Sequence, residues 1–127
     1  EEGGSSPYLP HNYTSNCVVY TGTHDNDTLA GWYKEMNIEE KEFSIDYLGN
    51  SRTPVEKIHW DFIRLALSSV ADLAIIPVQD YLGLGTEARI NEPSTLGKNW
   101  QWRLLKGQLD EKTLRRCRRM AEVYGRV

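Results

Sequence analysis

His24, Asp25 and Asp27 fall within four consecutive positions, with Asn26 between the two carboxylates. Carboxylates of this kind can stabilise a cationic transition state or hold sugar hydroxyls. An Asp-x-Asp pair can also open a calcium loop, and His with Asp can bind zinc. The plain structural alternative is a helix N-terminus. Asp27 stands before Thr28-Leu29-Ala30, which predicts an N-cap favoured by the helix dipole. Capping leaves His24 and Asp25 unexplained, because both precede the cap. The calcium pattern breaks down, since Leu29 and Ala30 occupy the next ligand and glycine positions. For zinc, the adjacent His and Asp lack a recognisable second ligand pair.

These residues need a scaffold. Residues 17–21 (Cys-Val-Val-Tyr-Thr) read as a short buried strand, and residues 28–36 as a helix. The His-Asp group therefore sits where a strand ends and a helix begins, an edge where loops project side chains off a rigid frame. A second helix is expected over residues 38–48, ending near Gly49. Thr53-Pro54-Val55-Glu56 predicts an N-cap and first turn. The helix behind it is expected to run to about Val70 and to bury Val55, Ile58, Phe62, Leu65, Ala66 and Ser69. Residues 73–78 predict a second apolar strand, with Pro77 at its end. From Gln79 to Asn99 the glycines and Pro93 argue against regular structure, and loops of that length in compact domains are usually functional. Residues 100–104 read as irregular. Asp110 is expected to cap a last helix to about Tyr124, burying Leu114, Cys117, Ala121 and Tyr124 and leaving Arg115, Arg116, Arg118 and Arg119 solvated. Before the first strand, the two prolines of residues 7–13 predict an ordered loop. Residues 1–6 read as a cut or linker.

Two strand-then-helix passages predict an α/β fold with parallel strands. The 127 residues suffice for one domain. A closed β/α barrel needs about 250 residues, so the pattern reads as part of something larger. A net charge of −3 gives no general affinity for nucleic acid or anionic membrane. No apolar run is long enough to span a bilayer. Cys17 and Cys117 read most simply as reduced, buried thiols, which suits the cytoplasm; the alternative is a bridge between them.

Gly83-Leu84-Gly85-Thr86-Glu87-Ala88 matches the dinucleotide-binding G-x-G-x-x-A and follows a strand. That site requires a helix to open at the glycines, and the continuation Arg89-Ile90-Asn91-Glu92-Pro93 predicts none. Tyr8, Tyr13, Tyr81, Trp100 and Trp102 sit in loop-like stretches where rings could face sugars, although core packing is the commoner role of an aromatic ring.

Four segments then take on a joint meaning: Pro7-Tyr8-Leu9-Pro10-His11-Asn12-Tyr13; residues 18–28, Val-Val-Tyr-Thr-Gly-Thr-His-Asp-Asn-Asp-Thr; residues 78–91, Val-Gln-Asp-Tyr-Leu-Gly-Leu-Gly-Thr-Glu-Ala-Arg-Ile-Asn; and Asn99-Trp100-Gln101-Trp102-Arg103. In this order and spacing they resemble the C-terminal part of the 4-α-glucanotransferases (amylomaltases, or disproportionating enzymes) of the α-amylase superfamily. The resemblance covers nearly the whole chain and is weakest over residues 34–51 and after Lys106.

The resemblance implies the last two units of a (β/α)8 TIM barrel, with residues 17–21 and 73–78 as its seventh and eighth strands. It implies transfer of α-1,4-glucan segments between maltooligosaccharides, with glucose as an acceptor and no metal or organic cofactor. It implies that Asp25 is the third carboxylate, a transition-state stabiliser, and that His24 and Asn91 bind substrate. The family's nucleophile Asp and acid/base Glu lie upstream of any residue present, so the isolated chain is expected to be inactive. Exposed strand edges predict self-association. The alternatives are a non-catalytic carbohydrate-binding or interaction module, and a small metal-dependent hydrolase using His11, His24, Asp25 and Asp27.

Overall fold

A computed structural model describes residues 3–127. Glu1 and Glu2, part of the expected linker, lie outside the described residues. Gly3–Ser5 and Pro10–Asn12 form 3-10 turns. His11 joins this segment to the second helix. Its Nδ1 lies 2.7 Å from the Tyr47 hydroxyl and its Nε2 2.8 Å from the Gly4 carbonyl oxygen.

The strands β1 (Val18–Tyr20) and β2 (Leu73–Ile75) pair in parallel, with Val19 opposite Ala74. Alternation along a strand sends successive side chains to opposite faces. Val19 points inward with Ala66 and Ala71, against Ala74 and Ile76. Val18, Tyr20, Leu73 and Ile75 are exposed.

Between the strands run α1 (Leu29–Glu35), α2 (Ile38–Leu48) and α3 (Ile58–Ser68). The second opens on a capping box between Asn37 and Glu40 and stops at Gly49, whose φ of 70° is the left-handed C-terminal conformation. The third is the central helix and packs against α1, α2, the short α4 (Val78–Tyr81) and the last helix α5 (Glu111–Val123). Its Trp60, Ile63 and Leu67 meet Leu29 and Met120 in the main core. Arg126 donates to the carbonyl of Leu67, in the last turn of α3, and to those of Ser69 and Ala71 just beyond it, at 2.7 to 3.0 Å, satisfying acceptors at the helix end and in the turn that follows.

Several sequence expectations shift. The proline start at residue 54 begins a 3-10 turn, Val55–Lys57, rather than the α-helix, and the Thr53 hydroxyl accepts from Asn50 instead of capping. Val55 is consequently 61% exposed. The buried arc of α3 is wider than the expected stripe and takes in His59, Trp60, Ile63 and Leu67, because helices cover it on more than one side. In α5 Asp110 caps as expected, accepting from Thr113 N at 2.8 Å. Its buried residue, however, is Met120, while Leu114 is exposed. Arg116 is not a purely solvated charge: its guanidinium lies 4.2 Å from the Trp60 ring centroid, a cation–π contact. Both cysteines are free and half-buried. Among the described residues no helix is long and apolar enough to cross a membrane.

His59 is buried on α3 against Gly83, whose φ of 65° and proximity to the imidazole (a Cβ there would lie 2.6 Å from His59 Cε1) leave room only for glycine. Burial, and then the Arg116 charge, lower the His59 pKa from 6.5 to about 4, with Asp61 partly opposing. A depressed histidine pKa gives stability that is complete above pH 6.5 and lost as pH falls toward 4. Urea unfolding across that window is expected to show a loss on the order of 3 kcal/mol, and His59→Asn should flatten it.

Candidate functional site

The site is built where both strands end. Asp80, on α4 just after β2, is 2% exposed. Its Oδ2 accepts from the Thr21 hydroxyl at 2.6 Å and its Oδ1 from Leu29 N–H at 2.8 Å. One carboxylate thus joins the end of β1 to the first turn of α1 and fixes both ends of the intervening loop, which carries His24 and Asp25.

Asp27 is not the helix cap. Thr28 is, its hydroxyl accepting from Gly31 N–H at 3.2 Å. Asp27 sits one residue earlier. Its Oδ1 accepts from Thr28 N–H at 2.8 Å and its Oδ2 from the Thr86 hydroxyl at 2.9 Å. The contact couples the two strand-end loops, and Gly31 permits it, because a Cβ there would collide with Thr86 Oγ1 and both Asp27 oxygens.

The second loop is shorter on irregular structure than the sequence suggests. It contains α4 and a 3-10 turn at Thr86–Ala88. No α-helix opens at Gly83 or Gly85, as the reading against a dinucleotide site requires. Gln79, buried on α4, donates to the Ala88 carbonyl at 3.2 Å and anchors the segment that follows.

That segment delivers Asn91 to the first loop. Asn91 Nδ2 donates to Asp25 Oδ1 at 2.8 Å, and Asn91 N–H donates to the His24 carbonyl at 3.0 Å. His24 Nε2 lies 3.3 Å from Asp25 Oδ2. The three residues singled out from the sequence therefore form one cluster, drawn from loops 66 residues apart. His24 and Asp25 border a cleft of about 720 Å3, to which Tyr20, Ile75, Arg89 and Trp102 also contribute.

Two contributors escaped the sequence reading. Arg89 donates to the carbonyls of Asp25 (2.7 Å) and Asn91 (2.9 Å); backbone acceptors leave no sequence signal. Trp100 is not core. It is 57% exposed, its ring centroid is 5.0 Å from that of His24, and its N–H donates to the Ile90 carbonyl at 2.7 Å. Its φ of 63° is uncommon for so bulky a residue.

The metal-hydrolase grouping does not assemble. Both ring nitrogens of His11 are engaged by Tyr47 and Gly4. Among the described residues no group of three or more His, Cys, Asp or Glu side chains could hold a metal ion.

The family described as 4-alpha-glucanotransferase matches residues 1–109. The chain is 48% identical over 123 residues to a 4-alpha-glucanotransferase of Clostridium butyricum, covering 96% of this chain and 25% of that protein. It is 46% identical over 132 residues to that of Thermus thermophilus, covering 100% and 26%. Among solved structures, amylomaltase from Streptococcus agalactiae in complex with acarbose superposes with a TM-score of 0.91 at 36% identity, covering 97% of this chain and 24% of that one. The chain spans about a quarter of the length of the relatives it matches.

Asp80→Ala would leave the buried Leu29 N–H and the Thr21 hydroxyl without their acceptor, a cost of about 2–3 kcal/mol, measurable by urea unfolding. Burial raises the Asp80 pKa above 3.8, against the bonds from Leu29 and Thr21, while Asp27 adds to the rise. A raised carboxyl pKa gives stability present at low pH and lost as pH climbs through the raised value. Asp80→Asn should cancel that slope.

Proposed function

The chain belongs to the 4-alpha-glucanotransferase family, and on that premise we propose that it supplies the stabilising wall of a glucan-transfer site. In this reading β1 and β2 are the last two strands of a (β/α)8 barrel whose other strands lie elsewhere in the complete polypeptide. The observation that carries the reading is the Asn91–Asp25 hydrogen bond of 2.8 Å across two strand-end loops, with His24 beside it.

A retaining transfer between α-1,4-glucans uses a nucleophile and an acid/base about 5 Å apart across the scissile bond, with an oxocarbenium-like transition state. Both groups come from residues outside this chain. Asp25 is the third carboxylate. Fixed at the cleft, it accepts hydroxyl hydrogen bonds from the glucose under attack and stabilises the positive charge that develops on the ring. Preorganised charge of this kind acts without reorganisation during the reaction. His24 donates to the same sugar, and Asn91 orients Asp25 while facing the donor glucan. The donor segment, held covalently, then passes to the 4-hydroxyl of a maltooligosaccharide or of glucose. The reading needs no metal or cofactor and places the enzyme in the cytoplasm, where reduced cysteines persist.

The test is maltotriose disproportionation by the complete product of the gene. Longer glucans and glucose should appear, and Asp25→Asn should lower kcat by about 10^3-fold. Sugar binding without any transfer by the complete product would sink the enzyme reading in favour of a carbohydrate-binding module.

The 127-residue chain alone should be inactive and should self-associate. Val18, Tyr20, Leu73 and Ile75 expose one apolar sheet face, and among the described residues each strand has one partner only, which invites edge pairing. Sedimentation at increasing concentration should show dimers or larger species that Tyr20→Lys weakens. A strictly monomeric chain at high concentration would count against it.

A further inference from the structure

We infer that Arg89 is the positioning residue that makes Asp25 and Asn91 a single rigid unit. The inference rests on the reading of those two residues as sugar-facing. A guanidinium is a planar fork with donors in fixed directions. Here Nη2 reaches the Asp25 carbonyl at 2.7 Å and Nε the Asn91 carbonyl at 2.9 Å. The side chains of the same two residues are bonded to each other at 2.8 Å. Asn91 N–H closes the ring on the His24 carbonyl at 3.0 Å. Backbone and side chain of both residues are thereby tied from opposite sides.

Neither loop segment has regular structure of its own at these positions, so no helix or strand ladder fixes Asp25 against Asn91. Arg89 is itself held at its base, because the preceding Ala88 is fully buried and its carbonyl accepts from Gln79. The following residue is tied through the Ile90 carbonyl to Trp100 N–H at 2.7 Å. The fork projects from a fixed point. Lysine at position 89 could satisfy one carbonyl but could not reproduce two donors in that geometry. Arg89 touches no reacting atom in this scheme. It acts through the carboxylate and the amide that it aligns.

The first test uses the complete gene product without substrate. Amide hydrogen exchange at Asn91, whose N–H is bonded to His24, should quicken about tenfold or more in Arg89→Ala, while α3 amides stay within about twofold of the unsubstituted chain. The second uses the same protein with substrate. Arg89→Ala should lower kcat for maltotriose by about 10^2-fold with KM changed less than about threefold, the scale of a small misplacement. Arg89→Lys should recover only part of the loss. Low-millimolar guanidinium should restore turnover in Arg89→Ala and leave Asp25→Asn unchanged. Unchanged Asn91 exchange in Arg89→Ala would overturn the inference, as would equal quickening throughout α3 without guanidinium rescue. An inactive unsubstituted gene product would remove the proposed function, and the exchange comparison would still decide the role of Arg89.

Discussion

Asp80 is the constraint on which the site depends. A buried carboxylate is costly unless its oxygens find donors, and both oxygens find one here: the Thr21 hydroxyl and the Leu29 N–H. The first ends a strand and the second starts a helix. The loop between them has both ends set by one side chain from the neighbouring strand's end. Its freedom is reduced before any ligand arrives. Replacing that arrangement by an apolar contact would keep the packing and lose the direction, because only hydrogen bonds set the angle at which residues 22–28 leave the sheet.

A second tier of contacts runs outward from it. Asp27 binds Thr86 across a space that only glycine at position 31 leaves open. Gln79 holds the Ala88 carbonyl. Arg89 spans Asp25 and Asn91, and Trp100 closes over His24 in a left-handed backbone conformation. Strained backbone persists where surrounding contacts over-determine it, and the Trp100 N–H bond to Ile90 is one such contact. The polar contacts increase toward the cleft while the apolar core lies behind, around Ile63 and Met120. The first loop therefore takes its rigidity from side-chain bonds, while the second adds α4 and the Thr86–Ala88 turn of its own.

The two strands and the last helix with its Asp110 cap were legible in the sequence, because strand and cap signals are local. His24, Asp25 and Asn91 stand out there through motifs in fixed order, and their mutual contact is seen only in the structure. What was not legible is non-local. The buried arc of α3 depends on which helices cover it, so Trp60 and Leu67 could not be told from exposed neighbours by period alone. Asp27 looked like a cap because Asp and Thr both cap well, and two adjacent candidates cannot be ranked without knowing that Thr86 claims the aspartate. Core packing is the commoner role of an aromatic ring, and the exposure of Trp100 follows from a loop conformation that sequence does not announce.

Asp25 and Asp80 show how environment divides roles between two carboxylates near the ends of parallel strands. A carboxylate offers about four lone-pair positions on two oxygens. Asp80 is buried, and each of its oxygens accepts a donor from the protein's own framework, the Thr21 hydroxyl and the Leu29 N–H. Asp25 is half exposed. Asn91 takes one position on Oδ1, and His24 stands 3.3 Å from Oδ2. The remaining positions are open to the cleft, and the side chain is still fixed by Asn91 and through its backbone by Arg89. A group that must meet developing charge needs both properties at once: it must be held, so that no reorganisation is required, and it must be left unsaturated, so that it has something to offer. Asp80 is held and buried, which suits a joint. Asp25 is held and half exposed, with oxygen positions still open, which suits a site.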